Sequence, residues 1–341
     1  MTTLKVTCWN IEHMSRLFDD DASETQAARL ARRRAAIAEE IRDIDPDVLC
    51  ILEGPSAEAE ITAFCQNDLA GEWTPIFAGD GDYATRGSQF IWFLVRTPLA
   101  PTASLLPVTT YKDFAGASWK VNYWGDFEET DHRHFRHPQT LVLEWMGERV
   151  EFIGAHLKSK FVFAGRADWN AGGERRQDFI RDAIKARIKL TTEALNIRAY
   201  IDRKFAQREN PCIFVMGDLN DGPGKEFFET QFLFFDLLSN IQGDVFFARR
   251  FLNHALFDFP EDLRWTVKFQ DFITPERDPH ILLDHIMFTQ SLVNGSKPFE
   301  VASGAGKVEH EIHELVNAGL PGYAETSDHR PVSVLVTPRA T

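Results

Sequence analysis

Apolar residues recur along the chain in short runs that stop on polar groups. Residues 6–12, ending Asn10-Ile11-Glu12, residues 48–53, ending on Glu53, and residues 152–156, ending on His156, each read as a buried strand closed by acidic, amide or imidazole side chains. So does the run 212–216, which halts at Gly217-Asp218-Leu219-Asn220-Asp221, and so does Leu282-Leu283-Asp284-His285-Ile286. A sixth cluster, Ser327-Asp328-His329, directly precedes the last apolar run, 332–336. Helical spacing governs 19–45, with Ile37, Ile41 and Ile44 on one stripe and Pro46 ending the helix, and most of 167–208, broken at Gly172-Gly173. Residues 89–96 predict another strand, preceded by a loop at 79–83. The segments 140–145 and 149–155 predict a hairpin turning at Met146-Gly147-Glu148.

Other stretches carry less pattern. Residues 118–138 set Trp119, Tyr123, Trp124 and Phe127 among Arg133, His134, Arg136 and His137, a folded loop with its own small core in preference to an aromatic rim over a cleft. The run Arg32-Arg33-Arg34 reads as a solvated helix face, and so does the basic series from Arg175 to Lys189, with a basic wall beside a site as its alternative. Most of the ten phenylalanines between Phe227 and Phe259 predict the core of an α-rich insertion, and His310 and His313 are expected in solvent in preference to facing a site. No repeat, low-complexity segment or long linker divides the chain.

Composition narrows the class. A chain of 341 residues can bury a large core, and its net charge of -14 argues against nonspecific wrapping of long nucleic acid without excluding a nuclease. Nothing approaches the roughly 18 consecutive apolar residues of a membrane span, and Met1 leads directly into a strand. The four cysteines show no metal spacing and read as small buried hydrophobes of a reducing compartment. A cytoplasmic protein with no membrane association and no obligate protein partner is expected.

Polar groups gathered at strand ends suit a site, because rigid strands present loop side chains to a cleft. Glu53, Asp328, Asp218, Glu12, Asn10 and Asn220 form an oxygen-rich, thiolate-free set suited to Mg²⁺ or Mn²⁺, whereas zinc recruits more His or Cys. An imidazole beside a carboxylate, as for His156 and His329, is fixed in one tautomer and made more basic. Such a pair fits in-line attack of water on a phosphoester.

Taken in order, Asn10 with Glu12, Glu53, His156, Gly217-Asp218-Leu219-Asn220, Asp284-His285 and Ser327-Asp328-His329 resemble the endonuclease/exonuclease/phosphatase superfamily of DNase I-like proteins. The resemblance runs from the first strand to the last. It implies an α/β fold, a four-layer αββα sandwich of two mostly antiparallel sheets flanked by helices, formed as one domain over 1–341 with insertions near 161–186, 240–280 and 290–325. It implies Glu53 as central metal ligand, supported by Asn10, Glu12 and Asp328. Asp218 would orient or deprotonate water, Asn220 would hold phosphate, His156 would stabilise phosphoryl oxygens, and His329, oriented by Asp284, would be the second catalytic imidazole. Lys158-Ser159-Lys160 is similar to bacterial nuclease-like members, so Lys158, Lys160, Arg175 and Arg176 are expected to contact a nucleic acid substrate, DNA in preference to RNA. A hydrolase of small or lipid phosphoesters is the alternative.

Overall fold

The computed structural model describes residues 3–19, 21–77, 89–123, 128–224, 226–232 and 238–339. The expected loop 79–83 and the side chains of Trp124, Phe127, Phe234 and Phe235 lie outside the described residues. Eight strands carry the architecture: β1 (Leu4–Asn10), β2 (Val48–Gly54), β3 (Phe90–Arg96), β4 (Gln139–Trp145), β5 (Glu148–Gly154), β6 (Cys212–Asp218), β7 (Asp284–Phe288) and β8 (Val332–Pro338). One sheet runs β8-β1-β2-β3 and the other β7-β6-β5-β4, each extended by short edge strands.

Period-2 alternation decides what each strand face meets. Val6, Cys8, Val48, Cys50 and Leu52 join Leu141, Phe152, Phe214 and Met216 in the layer between the sheets. The alternate residues Leu49 and Ile51 pack with Ile37 and Ile41 of α1 (Glu24–Ile44), while Ile153 and Val215 pack with Leu190 and Ile197 of α2 (Gly173–Gln207). The result is a four-layer sandwich, helix on sheet on sheet on helix. The two sheets press closest at Gly154, where a Cβ would lie 2.7 Å from Cys50 Sγ.

Local chemistry sets the element ends. Ser23 caps α1 by accepting from the Gln26 amide, and Asp45 closes it in the left-handed region just before Pro46. Gly172 and Gly173, both at positive φ, separate the helix Gly165–Ala171 from α2. The hairpin closes at the pair Trp145 and Glu148, leaving Met146-Gly147 as a two-residue turn with both φ positive, the geometry that matches strand twist.

Topology then builds one polar edge. β1 and β2 run parallel, with Asn10 opposite Leu52, and β5 and β6 run parallel, with Met216 opposite Gly154. Their C-terminal ends therefore lie together. β8 and β7 are antiparallel to β1 and β6, so their N-terminal starts, with Ser327 to His329 and Asp284, arrive at that same edge.

Three expectations are corrected. His310 and His313, in α3 (His310–Asn317), are buried: His313 Nδ1 lies 2.8 Å from Glu40 of α1, and His310 Nε2 donates to the Leu263 carbonyl. The stretch from Phe227 to Phe259 is not α-rich: beyond the short helices Phe227–Phe232 and Ser239–Gln242 its described residues form only a short turn and a two-residue strand. Phe228 is buried, but Phe246, Phe247 and Phe257 are 90%, 63% and 77% exposed. The basic run of α2 is solvated only in part, since Arg187 is buried against Glu226. The described residues of 118–138 include a two-stranded ribbon on α2, in which Trp119 sits against His132 and His134 and donates to Thr192. No described helix is long and apolar enough to cross a membrane.

Gly217 adopts φ +135, and a Cβ there would lie 2.0 Å from the Ala155 carbonyl oxygen. Gly217→Ala is expected to lower the unfolding free energy by about 3 kcal/mol or more, through strain and lost β5–β6 pairing. A urea titration with an unchanged midpoint would contradict this reading of the edge.

Candidate active site

Asp218, the last residue of β6, is buried where four groups converge on it. Asn10 Nδ2 donates to its Oδ2 at 3.1 Å, His156 Nε2 lies 3.2 Å from the same oxygen, and the Asn220 amide donates to Oδ1 at 2.9 Å. His329 supplies positive charge from the far side. Burial works against the Asp218 charge, but His156, then His329 and the Asn220 amide, outweigh it and hold the carboxyl well below its ordinary range. Asn220 makes its bond by taking φ 52, a left-handed conformation that asparagine tolerates, and its side chain donates to the Leu157 carbonyl at 3.0 Å.

Asp284 sits opposite Asp218 at the start of β7 and is fully buried. Its Oδ2 lies 2.7 Å from His329 Nδ1. Burial alone would depress the imidazole, yet Asp284, with Asp218 and Asp328 behind it, raises it to about 10. His329 therefore carries its proton at neutral pH. Its loop is tied to β1 by Ser327, whose Oγ donates to the Asn10 carbonyl and accepts from the amides of His329 and Glu12, and by Trp9 Nε1, which donates to the His329 carbonyl.

A second group of carboxylates lies beside this one. Glu53, the next-to-last residue of β2, takes φ 57, and its Oε2 accepts from the His13 amide at 2.9 Å. Glu12 and Asp328 are more open, 45% and 65% exposed. Arg33 binds the group together. Its guanidinium donates to the carbonyls of Glu12, Thr326 and Glu325, and the charges of Glu12, Asp328 and Glu53 oppose the lowering that burial imposes on it.

The donor chemistry fits a hard divalent cation. Asn10 Oδ1 is buried without a hydrogen-bond partner among the described residues, at the end of the strand beside β2 and Glu53. An orphaned amide oxygen next to acid side chains is the environment in which Mg²⁺ or Mn²⁺ replaces the missing donor. Asn10, Glu53, Glu12 and Asp328 are the residues expected to hold such a cation, and Asp218, Asp284 and His329 offer a second set of donor atoms, all within 4.8 Å of one another.

Some expected site residues lie elsewhere. Lys160 is buried and pairs with Asp221, Glu226 and Glu229, so it is not the free cation that the sequence suggests. Arg175 is bound to Asp168, and Arg176 lies over Trp169 and donates to its carbonyl. Lys158 stays half-buried near the site, its ammonium lowered by burial and by the repulsion of Arg136 and Lys189. Sequence reasoning missed Arg33 and Arg136. Arg136 is largely buried, donates to Gln89 and to the Leu157 carbonyl, and feels the charges of Asp218 and Glu53. A signal for Arg33 existed: it falls four residues before Ile37 and eight before Ile41, on the buried stripe of α1.

The endonuclease/exonuclease/phosphatase family model matches residues 7–329. No curated protein sequence matches the chain. Among solved structures, truncated TDP2 from Caenorhabditis elegans has a TM-score of 0.53 at 13% identity, over 98% of this chain and 97% of that one. TDP2 from D. rerio, complexed with single strand DNA product, gives 0.52 at 12% identity over 99% and 100%. A mannosyl-6-phosphatase from Bacteroides thetaiotaomicron gives 0.52 at 15% identity over 98% and 99%. At such identities these likenesses speak for the fold, while the family match extends from the first strand to the last polar cluster: the chain belongs to the endonuclease/exonuclease/phosphatase family of phosphoester hydrolases.

Proposed function

We propose that the protein is a divalent-metal-dependent phosphodiesterase that hydrolyses nucleic acid, DNA in preference to RNA, by in-line attack of water. The observation that carries this reading is the buried Asp218 carboxylate, held ionised within reach of His156 and the His329–Asp284 pair. Asp218 accepts a hydrogen bond from the attacking water and aligns it. The water O–H breaks as its oxygen bonds phosphorus, and the proton passes to the carboxylate. As the bond from phosphorus to the leaving oxygen breaks, the His329 imidazolium donates a proton to that oxygen, and Asp284 keeps the ring oriented. His156 and Asn220 hold the phosphoryl oxygens, where donors act on charge that develops in the transition state. Asn10 and Glu53 would hold a divalent cation, which would supply Lewis acidity toward the phosphoryl group.

Nucleic acid is favoured by Arg136, Lys158 and Lys189, three cations that repel one another beside the site and suit an anionic backbone. A second reading, hydrolysis of a small or lipid phosphoester, is favoured by the net charge of -14 and by the internal pairing of Lys160 and Arg175. The fold does not choose between them, since relatives include both a DNA-bound TDP2 and a sugar phosphatase.

A panel of plasmid DNA, single-stranded DNA, RNA, bis-p-nitrophenyl phosphate and p-nitrophenyl phosphate in Mg²⁺ or Mn²⁺ separates the readings. Polymer and diester are expected to be cleaved, with a loss of at least about 100-fold in Asp218→Ala and in EDTA. Turnover of the monoester alone would favour the second reading, and a fully active Asp218→Ala would remove the site assignment. Glu53→Gln is expected to weaken Mn²⁺ binding by more than about tenfold in calorimetry, since even outer partners of a metal have that effect. Unchanged affinity would move the cation away from Glu53.

A further inference from the structure

Beside the catalytic edge lies a cavity of about 210 Å³ that the reaction described above does not use. Its walls are apolar and largely aromatic: Phe179, Phe227, Phe228 and Phe272, with Val162 and Ile273 completing them. Asn220 and Leu283 line it as well. Asn220 lies two residues after Asp218, and Leu283 immediately precedes Asp284, so the cavity adjoins the two buried carboxylates.

Two features argue that this space receives a ligand group. Of the charged residues lining it, Lys160 is matched by Asp221, Glu226 and Glu229, and Arg187 by Glu226, while Asp271 accepts from the Ile273 amide and Arg277 lines the same space without an ion pair among the described residues. Arg187 nevertheless keeps its buried Nε without a hydrogen-bond partner among the described residues, a donor waiting for an acceptor. Phe179 meets Phe228 and Phe272 at ring-centroid distances of 5.8 Å each, a cluster that offers ring faces and edges to another ring. Size limits the guest. An apolar cavity of about 150 Å³ accepts benzene, so this one holds a single substituted ring and is too small for paired acyl chains.

We propose that the cavity seats one aromatic ring carried by an ester group of the substrate, next to the phosphorus under attack. The inference rests on the phosphoesterase reading and deepens it. The ring comes from a nucleobase or from an aryl alcohol, and both use the same stacking surface with an acceptor turned toward Arg187. Residues of the stretches 161–186 and 240–280 form half of the walls, so these segments help set the specificity of the site.

The test uses the full chain with Mn²⁺ and non-hydrolysable probes: methylphosphonate, benzylphosphonate and a thymidine phosphonate by calorimetry, with benzyl alcohol and thymidine by ligand-observed NMR. At least one ring-bearing phosphonate is expected to bind tenfold or more tightly than methylphosphonate, and the larger gain identifies the source of the ring. Ile273→Trp, which fills the cavity, is expected to erase that gain while leaving methylphosphonate affinity unchanged; Val162→Trp repeats the test from another part of the wall should the first variant not fold. Equal affinities for all three phosphonates, or a gain that survives both fillings, would overturn the proposal. If no phosphonate binds but a neutral ring compound does, and does so only in the unfilled protein, the ring pocket stands and the phosphoesterase reading fails. If neither kind of probe binds, the pocket proposal is overturned.

Discussion

A carboxylate buried at the end of a strand cannot stay ionised unless donors and positive charge surround it, and the polar edge of this protein is arranged around that requirement at Asp218. No single element could satisfy it. Asn10 comes from β1 in the opposite sheet, His156 from the chain just beyond β5, the Asn220 amide from the turn after β6, and His329 from the loop before β8. Each arrives because of strand direction: parallel neighbours bring C-terminal ends, antiparallel neighbours bring starts. Gly217 is the enabling residue, since any side chain there would collide with the Ala155 carbonyl and displace β5 from the site.

The same logic repeats one step out. Asp284 is a second buried carboxylate, and it is matched by a His329 that keeps its proton. The two acids thus create a fixed positive charge close to a fixed negative one, which is the polarity that water attack and leaving-group departure both need. Arg33 plays a comparable part for Glu12, Glu53 and Asp328, neutralising acids that would otherwise repel one another and bracing the loops that carry them. A cation joining that group would meet an already ordered set of oxygens.

Much of this was legible in the sequence because strand-ending polar clusters and period-2 runs are local signals. The αββα layering, the hairpin at Met146-Gly147, the helix break at Gly172-Gly173 and the gathering of Asn10, His156, Asp218, Asp284 and His329 all follow from them. What failed was the reading of charge without its partners. Lys160 looked like a free cation because Asp221, Glu226 and Glu229 lie more than 60 positions along the chain. Arg33 looked solvated as one of three adjacent arginines, although its place on the buried stripe of α1 pointed inward. His313 and Glu40, 273 positions apart, could not be paired from sequence alone. The phenylalanines after position 240 misled for a different reason: the short turns and two-residue strand that carry them cannot fold over all of their own rings, so several remain exposed.

The central claim is that buried carboxylates fix the charge states of this edge, and the His329 imidazole reports on it directly. In nitrogen-edited NMR of the wild-type protein, His329 is expected to remain doubly protonated through pH 8 and to lose its proton only near pH 10, because Asp284 raises its folded value above the ordinary 6.5. Stability drawn from the pair is then complete below about pH 6.5 and lost as pH rises through about 10. In Asp284→Asn the same ring is expected to titrate at a distinctly lower pH. A His329 that titrates near 6.5 in the wild-type protein, or whose titration does not change in Asp284→Asn, would contradict the account.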